Sequence, residues 1–216
     1  MPEITSDLYG TFQHPEIVVT MPSGLEFGAT NILSYFEDEV RRGTVFKAGE
    51  TVQVGWMLLM LKENEAGELE VWEPRFSEIP IVWERGAKRT YRQLIVQKSV
   101  AEELEVEPRF PSLDQSAVVL PDFMTSVNFQ MLRESPAGTD SGWLFTTEEN
   151  ESENGRLISL FEAACKRPEI IPFLALPPDS SVTRKNGNVE VSLGDRTIRS
   201  ESNEFLRRLE TSDLIA

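Results

Sequence analysis

Hydrophobic residues recur at helical spacing in one early segment and alternate at strand spacing in most of the others. From Thr30 to Arg42, the residues Leu33, Phe36 and Val40 fall three and four apart. Thr30 stands where an N-cap would, and Arg41, Arg42 and Gly43 supply a cationic last turn and a glycine stop, so the spacing predicts an amphipathic helix. Glu16 to Thr20 reads as a short strand ended by the turn Met21-Pro22-Ser23-Gly24. Thr51 to Lys62 begins with the alternation Val52, Val54, Trp56 and continues into Met57-Leu58-Leu59-Met60-Leu61, as in a strand covered on both faces. After Asn64-Glu65-Ala66-Gly67, Leu69 and Val71 alternate with Glu68 and Glu70, so an antiparallel hairpin in the middle of its sheet is expected. Ile79 to Trp83 can add a strand. Tyr91 to Leu104 fits either period, with Val100 to Leu104 reading as helix.

The second half carries strand-type runs at Ala117 to Leu120, Val127 to Leu132 and Trp143 to Thr146, then a helix expected from Arg156 to Lys166 on Leu157, Leu160, Phe161 and Ala164. Ser181 to Arg184 and Val189 to Leu193 flank Lys185-Asn186-Gly187-Asn188, and Asn-Gly between strand-type runs is a strong hairpin signal. Ser202 to Leu214 reads as a closing helix. Pro108 and Pro111 interrupt regular structure between Glu105 and Asp114, so a linker is placed at 107–115, between an N-terminal α+β domain (1–106) and a C-terminal one (116–216). The expected fold class is α+β, mainly antiparallel sheets with a few packed helices, in two small domains.

Composition narrows the function. With 40% hydrophobic residues the chain can bury a core, and the 36 acidic against 21 basic residues give a formal charge of −15. Such a field repels phosphate backbones and anionic lipid, so neither direct nucleic-acid nor membrane-surface binding is expected; a basic partner is favoured, unless the charge serves solubility alone. The N-terminus lacks a basic region followed by an apolar run, and one cysteine, Cys165, allows no internal disulfide, which suits a cytoplasmic address.

Catalytic groups are scarce. The single histidine, His14, offers no dyad with a nucleophile, neither phosphate-binding glycine motif occurs, and Cys165 with His14 cannot fill a zinc tetrahedron. No catalytic residue, cofactor or metal is therefore assigned, although carboxylate-only chemistry stays open as an alternative. Two acidic stretches are candidate partner sites: Glu148, Glu149, Glu151 and Glu153, and Glu102 and Glu103 with Glu105 and Glu107. Each is a solvated charge run on one reading and a set of carboxylates for Lys and Arg of a partner on the other. Asp140-Ser141-Gly142-Trp143 reads as a turn entering a strand, with Asp140 or Ser141 bonding backbone amides and Trp143 filling the core. Trp72, Trp83 and Phe76 are assigned to the core by default.

Three stretches resemble a bacterial domain family of immunity proteins from polymorphic toxin systems. They are Ser116-Ala117-Val118-Val119 through Phe129-Gln130-Met131-Leu132-Arg133-Glu134; Asp140-Ser141-Gly142-Trp143-Leu144-Phe145, similar to the family's signature; and Pro168-Glu169-Ile170-Ile171-Pro172-Phe173-Leu174 with Pro177 and Ser180 or Ser181. The family often continues its signature strand into a Gly-Asp-Glu-like turn, where this chain has Thr146-Thr147-Glu148-Glu149. The resemblance covers only the C-terminal half. It implies a cytoplasmic protein that binds a cognate toxin and occludes its active site or a surface beside it, without cofactor or catalysis; the acidic stretches would suit a basic nuclease as that toxin. An adaptor or regulator of a secretion system is a further alternative. The oligomeric state is left open.

Overall fold

A computed structural model describes residues 1–147 and 154–209. Their thirteen strands and five α-helices form an α+β fold with two sheets in which antiparallel pairing prevails. The chain divides into two compact units, Met1–Arg92 and Gln93–Ala216.

The first unit contains β1 (Glu3–Thr5), α1 (Tyr9–Phe12), β2 (Ile17–Thr20), α2 (Glu26–Arg41), β3 (Thr51–Val54), β4 (Met57–Glu63), β5 (Leu69–Arg75) and β6 (Val82–Arg85). Its sheet runs β1-β2-β5-β4-β3, with β6 also on β5, and the β2–β5 pair is parallel. The apolar stripe of α2, namely Ile32, Leu33, Phe36 and Val40, packs with Ile17, Val19, Leu59, Leu61 and Val71 of the strands in one core.

Three sequence expectations change here. The helix begins at Glu26, so Thr30 is inside it and not its N-cap; the Glu26 carboxylate accepts the Gly24 N–H at 2.8 Å and suits the positive end of the helix. Gly28 is required in the first turn because the Tyr91 ring lies 2.6 Å from where a Cβ would stand. The single strand read from Thr51 to Lys62 is two strands, since Gly55 at φ 63° lets the chain reverse and Val54 pairs with Met57. Finally, β4 is covered on one face: Met57, Leu59 and Leu61 are buried, while Leu58, Met60 and Lys62 are half-buried.

The second unit holds most of α3 (Lys88–Glu103), then β7 (Ser116–Val119), β8 (Phe129–Arg133), β9 (Asp140–Thr146), β10 (Arg156–Ser159), α4 (Leu160–Lys166), β11 (Ser180–Lys185), β12 (Asn188–Leu193), β13 (Arg196–Arg199) and α5 (Glu204–Leu209). The ambiguous Tyr91–Leu104 segment is thus helical. The sheet runs β10-β7-β9-β8-β11-β12-β13, with β7 parallel to β9. Its inner face presents Ala117, Met131, Trp143, Phe145, Val182 and Val191, each no more than 1% exposed. The Asn186-Gly187 hairpin forms with φ of 53° and 84°, the left-handed pair such a turn requires.

The helix expected over Arg156–Lys166 divides. Arg156–Ser159 finds strand partners in β7, and Ser159 then caps α4 by accepting the Glu162 N–H at 3.1 Å. Segment 107–115 lies in the second unit by this division: Arg109 N–H donates to the Ala175 carbonyl at 2.7 Å and Leu113 is fully buried. Of the closing helix, residues 204–209 are described and helical, and the rest of that expectation lies outside the described residues.

Candidate functional site

The Asp140-Ser141-Gly142-Trp143 signature sits where β9 leaves a tight turn. Ala137 and Asp140 exchange backbone hydrogen bonds of 3.1 and 2.9 Å, and the Asp140 carboxylate accepts the Gly142 N–H at 2.9 Å. The buried Ser141 hydroxyl donates to the Ser116 carbonyl at 2.7 Å and so ties β9 to β7. Gly142 has φ of 78°, and a Cβ there would stand 2.2 Å from the Glu134 carbonyl oxygen. Trp143 lies parallel to Phe145 on the inner face and donates its Nε1–H to the Leu174 carbonyl at 3.1 Å. All four residues hold the scaffold together.

Two buried arginines continue this pattern. Arg133 donates to the carbonyls of Arg109, Leu174 and Leu176 and faces the Trp143 ring, with its guanidinium carbon 5.4 Å from the ring centroid. Burial pulls its pKa down to about 10, so it remains a cation at neutral pH, held by carbonyl dipoles. Arg167 donates to the Phe123 and Ser126 carbonyls, pairs with Glu169 at 2.7 Å and lies over the rings of Phe123 and Phe129. These contacts pin the irregular backbone around the 3₁₀ segment Pro168–Phe173 to the sheet. The sequence offered no signal for either cage, because apart from Glu169 the acceptors are backbone carbonyls distant in the chain.

Of the acidic candidates, Glu148, Glu149, Glu151 and Glu153 lie outside the described residues. Glu102 and Glu103 are exposed at the end of α3. Glu103 accepts from Asn203 Nδ2 at 2.6 Å, and the Glu105 backbone carbonyl accepts from Arg196. Glu102, Glu105 and Glu107 line a cavity of ≈ 630 Å³ with Lys98, Val106 and Pro108. Part of this acidic face is therefore internally engaged, while Glu102 and Glu107 remain open to solvent. Trp72, Trp83 and Phe76, expected in the core, are half-exposed instead; Trp72 carries Lys62 Nζ 3.8 Å above its ring.

His14 is buried in the first unit. Its Nε2 accepts the Phe46 N–H at 2.9 Å, which places the proton on Nδ1 facing the Pro15 carbonyl. For Cys165, burial and then the neighbouring Glu162 carboxylate push the thiol up, away from the reactive thiolate. Among the described residues, no group of three or more His, Cys, Asp or Glu side chains is placed to hold a metal ion, and no helix is long and apolar enough to cross a membrane.

Two carboxylates share a pocket of ≈ 300 Å³ in the first unit, Glu73 and Glu84, with Arg85, Lys88 and Arg89. Glu73 is 2% exposed and accepts the N–H groups of Arg89 and Thr90 at 3.0 and 2.8 Å, so it caps the start of α3. Burial pushes its carboxyl up against the opposing pull of those donors and of the Arg89 guanidinium. Glu84 pairs with Arg89 and with Arg75. Arginines and helix amides thus engage the oxygens of both carboxylates.

Residues 96–195 match the family of Imm33-like domains, an immunity-protein family. The matched stretch starts within α3, includes the signature strand and ends beyond β12. No curated protein and no solved structure matches the chain.

Proposed function

We propose that this protein neutralises a cognate toxin by binding it: it occupies the cytoplasm of the toxin-producing cell and occludes the toxin's active site without making or breaking bonds. The observation that carries this reading is the likeness of residues 96–195 to an immunity-protein family. The chemistry of the second unit supports it. Its most distinctive polar residues, Ser141, Arg133 and Arg167, direct hydrogen bonds inward to backbone carbonyls, and Arg167 also to Glu169, as parts of a rigid frame for presenting a surface. A charge of −15 favours a basic toxin such as a nuclease, with Glu102, Glu103 and the run Glu148, Glu149, Glu151 and Glu153 offering carboxylates to its cations.

The test is co-expression with the toxin encoded beside this gene. Growth should be restored and the two proteins should co-purify; continued killing with no complex removes the reading. The carboxylate-enzyme alternative draws on the pocket of Glu73 and Glu84. It predicts that Glu84→Gln abolishes a turnover reaction, whereas the binding reading predicts undiminished neutralisation by that variant. Capture of a structural component of a secretion apparatus in place of the toxin would favour the adaptor reading.

A further inference from the structure

In the first unit, β2 and β6 share one edge of β5. β2 pairs in parallel with Leu69 and Glu70, β6 pairs antiparallel with Trp72 to Arg75, and β4 takes the opposite edge from Leu69 to Trp72. The last residues of the two strands, Thr20 and Arg85, therefore end against each other, and α3 starts soon after at Lys88. Gly86 permits this meeting. Its N–H donates to the Val71 carbonyl at 2.9 Å, its φ is 114°, and a Cβ there would stand 2.8 Å from the Thr20 carbonyl oxygen. The ≈ 300 Å³ pocket that holds Glu73 and Glu84 opens at this junction, with Thr20, Arg85 and Lys88 also in its lining. Small-molecule sites measure roughly 300–1,000 Å³, so the pocket has the size for a small ligand and no more.

Hydrogen-bonding capacity in the lining is one-sided. All four oxygens of its carboxylates are engaged: those of Glu73 by the amides of Arg89 and Thr90, those of Glu84 by Arg75 and Arg89. Its donors are not. Thr20 is 6% exposed, and its Oγ1 is buried without a hydrogen-bond partner. Arg85 gives a terminal nitrogen to Glu3 and Glu70 at 3.1 and 2.6 Å, but its Nε is buried and likewise unpartnered. Lys88 makes no ion pair among the described residues. Buried polar groups are nearly always paired in native proteins, so two orphans beside one pocket call for an acceptor. A cation entering here would have to displace an arginine or a helix amide from a carboxylate, whereas an oxyanion would use only donors that are idle.

We propose that this junction binds a small oxyanion, a phosphate or carboxylate group, with Lys88, Thr20 Oγ1 and Arg85 Nε as its donors. The site lies wholly in the first unit, outside the stretch 96–195 that matches the immunity family, and does not depend on toxin binding. A chain with a formal charge of −15 repels anions at long range, so binding of one requires a local set of donors such as this.

The test titrates the full-length protein with inorganic phosphate and, separately, with malonate at constant ionic strength and neutral pH, read by amide NMR. At least one of them should bind with Kd below about 10 mM, shifting the amides of Thr20, Gly86, Lys88 and Arg89. A response to phosphate alone assigns a phosphate ligand, and one to malonate alone a carboxylate ligand. Lys88→Gln removes a side chain without an ion-pair partner, so it should weaken Kd at least about fivefold at an unchanged melting temperature. Thr20→Val replaces an unpartnered hydroxyl by a methyl of the same shape. Its melting temperature should equal or exceed the parent's while Kd weakens at least about threefold, whereas a hydroxyl with a purely structural role would lower the melting temperature. Lys47→Gln, at an exposed lysine outside the pocket, should leave Kd within about twofold. The site is overturned if neither anion gives a saturable shift up to about 10 mM, if binding survives Lys88→Gln or Thr20→Val unchanged, or if Lys47→Gln weakens it equally. Each of those results leaves toxin neutralisation, measured by co-expression, untouched.

Discussion

Gly142 shows how much a single position carries. Its positive φ is one demand, and the Glu134 carbonyl oxygen, 2.2 Å from where a Cβ would stand, is another, whereas Gly138 has a positive φ of 60° and open space around it. Gly138→Ala should cost about 1 kcal/mol for the left-handed backbone alone, and Gly142→Ala about 3 kcal/mol or more, because the backbone of the turn must move as well. Urea unfolding of the two variants measures the difference. Arg133→Met should be costlier still, on the order of 3 to 5 kcal/mol, since it strips the guanidinium donor from the carbonyls of Arg109, Leu174 and Leu176. Glu16 provides a pH-dependent case. Burial opposes its ionisation, but the Ser6 hydroxyl and the Leu8 and Tyr9 amides outweigh burial and hold the carboxyl below its ordinary 4.5. A carboxyl depressed in the folded state stabilises the fold above pH 4.5 and loses that contribution as pH falls through its lowered value. Glu16→Gln should therefore cost about 1 kcal/mol at pH 7, and the gap from the parent should close in acid, read by melting temperature across pH.

Elements show where local pattern and tertiary pairing compete. Arg156–Ser159 has a helical hydrophobic spacing, yet β7 offers it a ladder, and Ser159 is where the chain exchanges one period for the other. Ser159→Ala should shorten or loosen α4 at a cost of about 1 kcal/mol, visible as faster amide exchange at Glu162. The Asn186-Gly187 hairpin was legible because turn chemistry is local; the division of 51–62 at Gly55 was not, because Trp56 continues the apolar alternation while being buried in a turn. The signature strand was legible as a strand and a turn, but the partners of Ser141 and Trp143, the carbonyls of Ser116 and Leu174, lie 25 and 31 residues away.

At the scale of the molecule, α3 decides how the second unit is bounded. Val96, Val100, Ala101 and Leu104 are buried, and Gln97 donates to the Ile171 carbonyl at 2.8 Å. A fragment 93–216 should unfold cooperatively, while 116–216, cut at the boundary the prolines suggest, should lose that cooperativity; thermal melts of the two decide between the boundaries. Charge at this scale predicts that raising salt from about 0.05 to 0.5 M slows association with a basic partner by about tenfold or more with little change in dissociation, measured by stopped flow.

Sequence alone determined that the chain folds with mixed helix and strand, that it carries a formal charge of −15, and that its C-terminal half carries an immunity-family signature. These are properties of composition and of short spacings, which act over one turn or one hairpin. Tertiary structure decided which face of each strand is covered, which carboxylates are already engaged by arginines and amides, and that Leu157, Val118, Leu144 and Leu132 stand in one row. Those residues come from four strands in an order the chain does not follow, and only the hydrogen-bond register between strands sets them side by side.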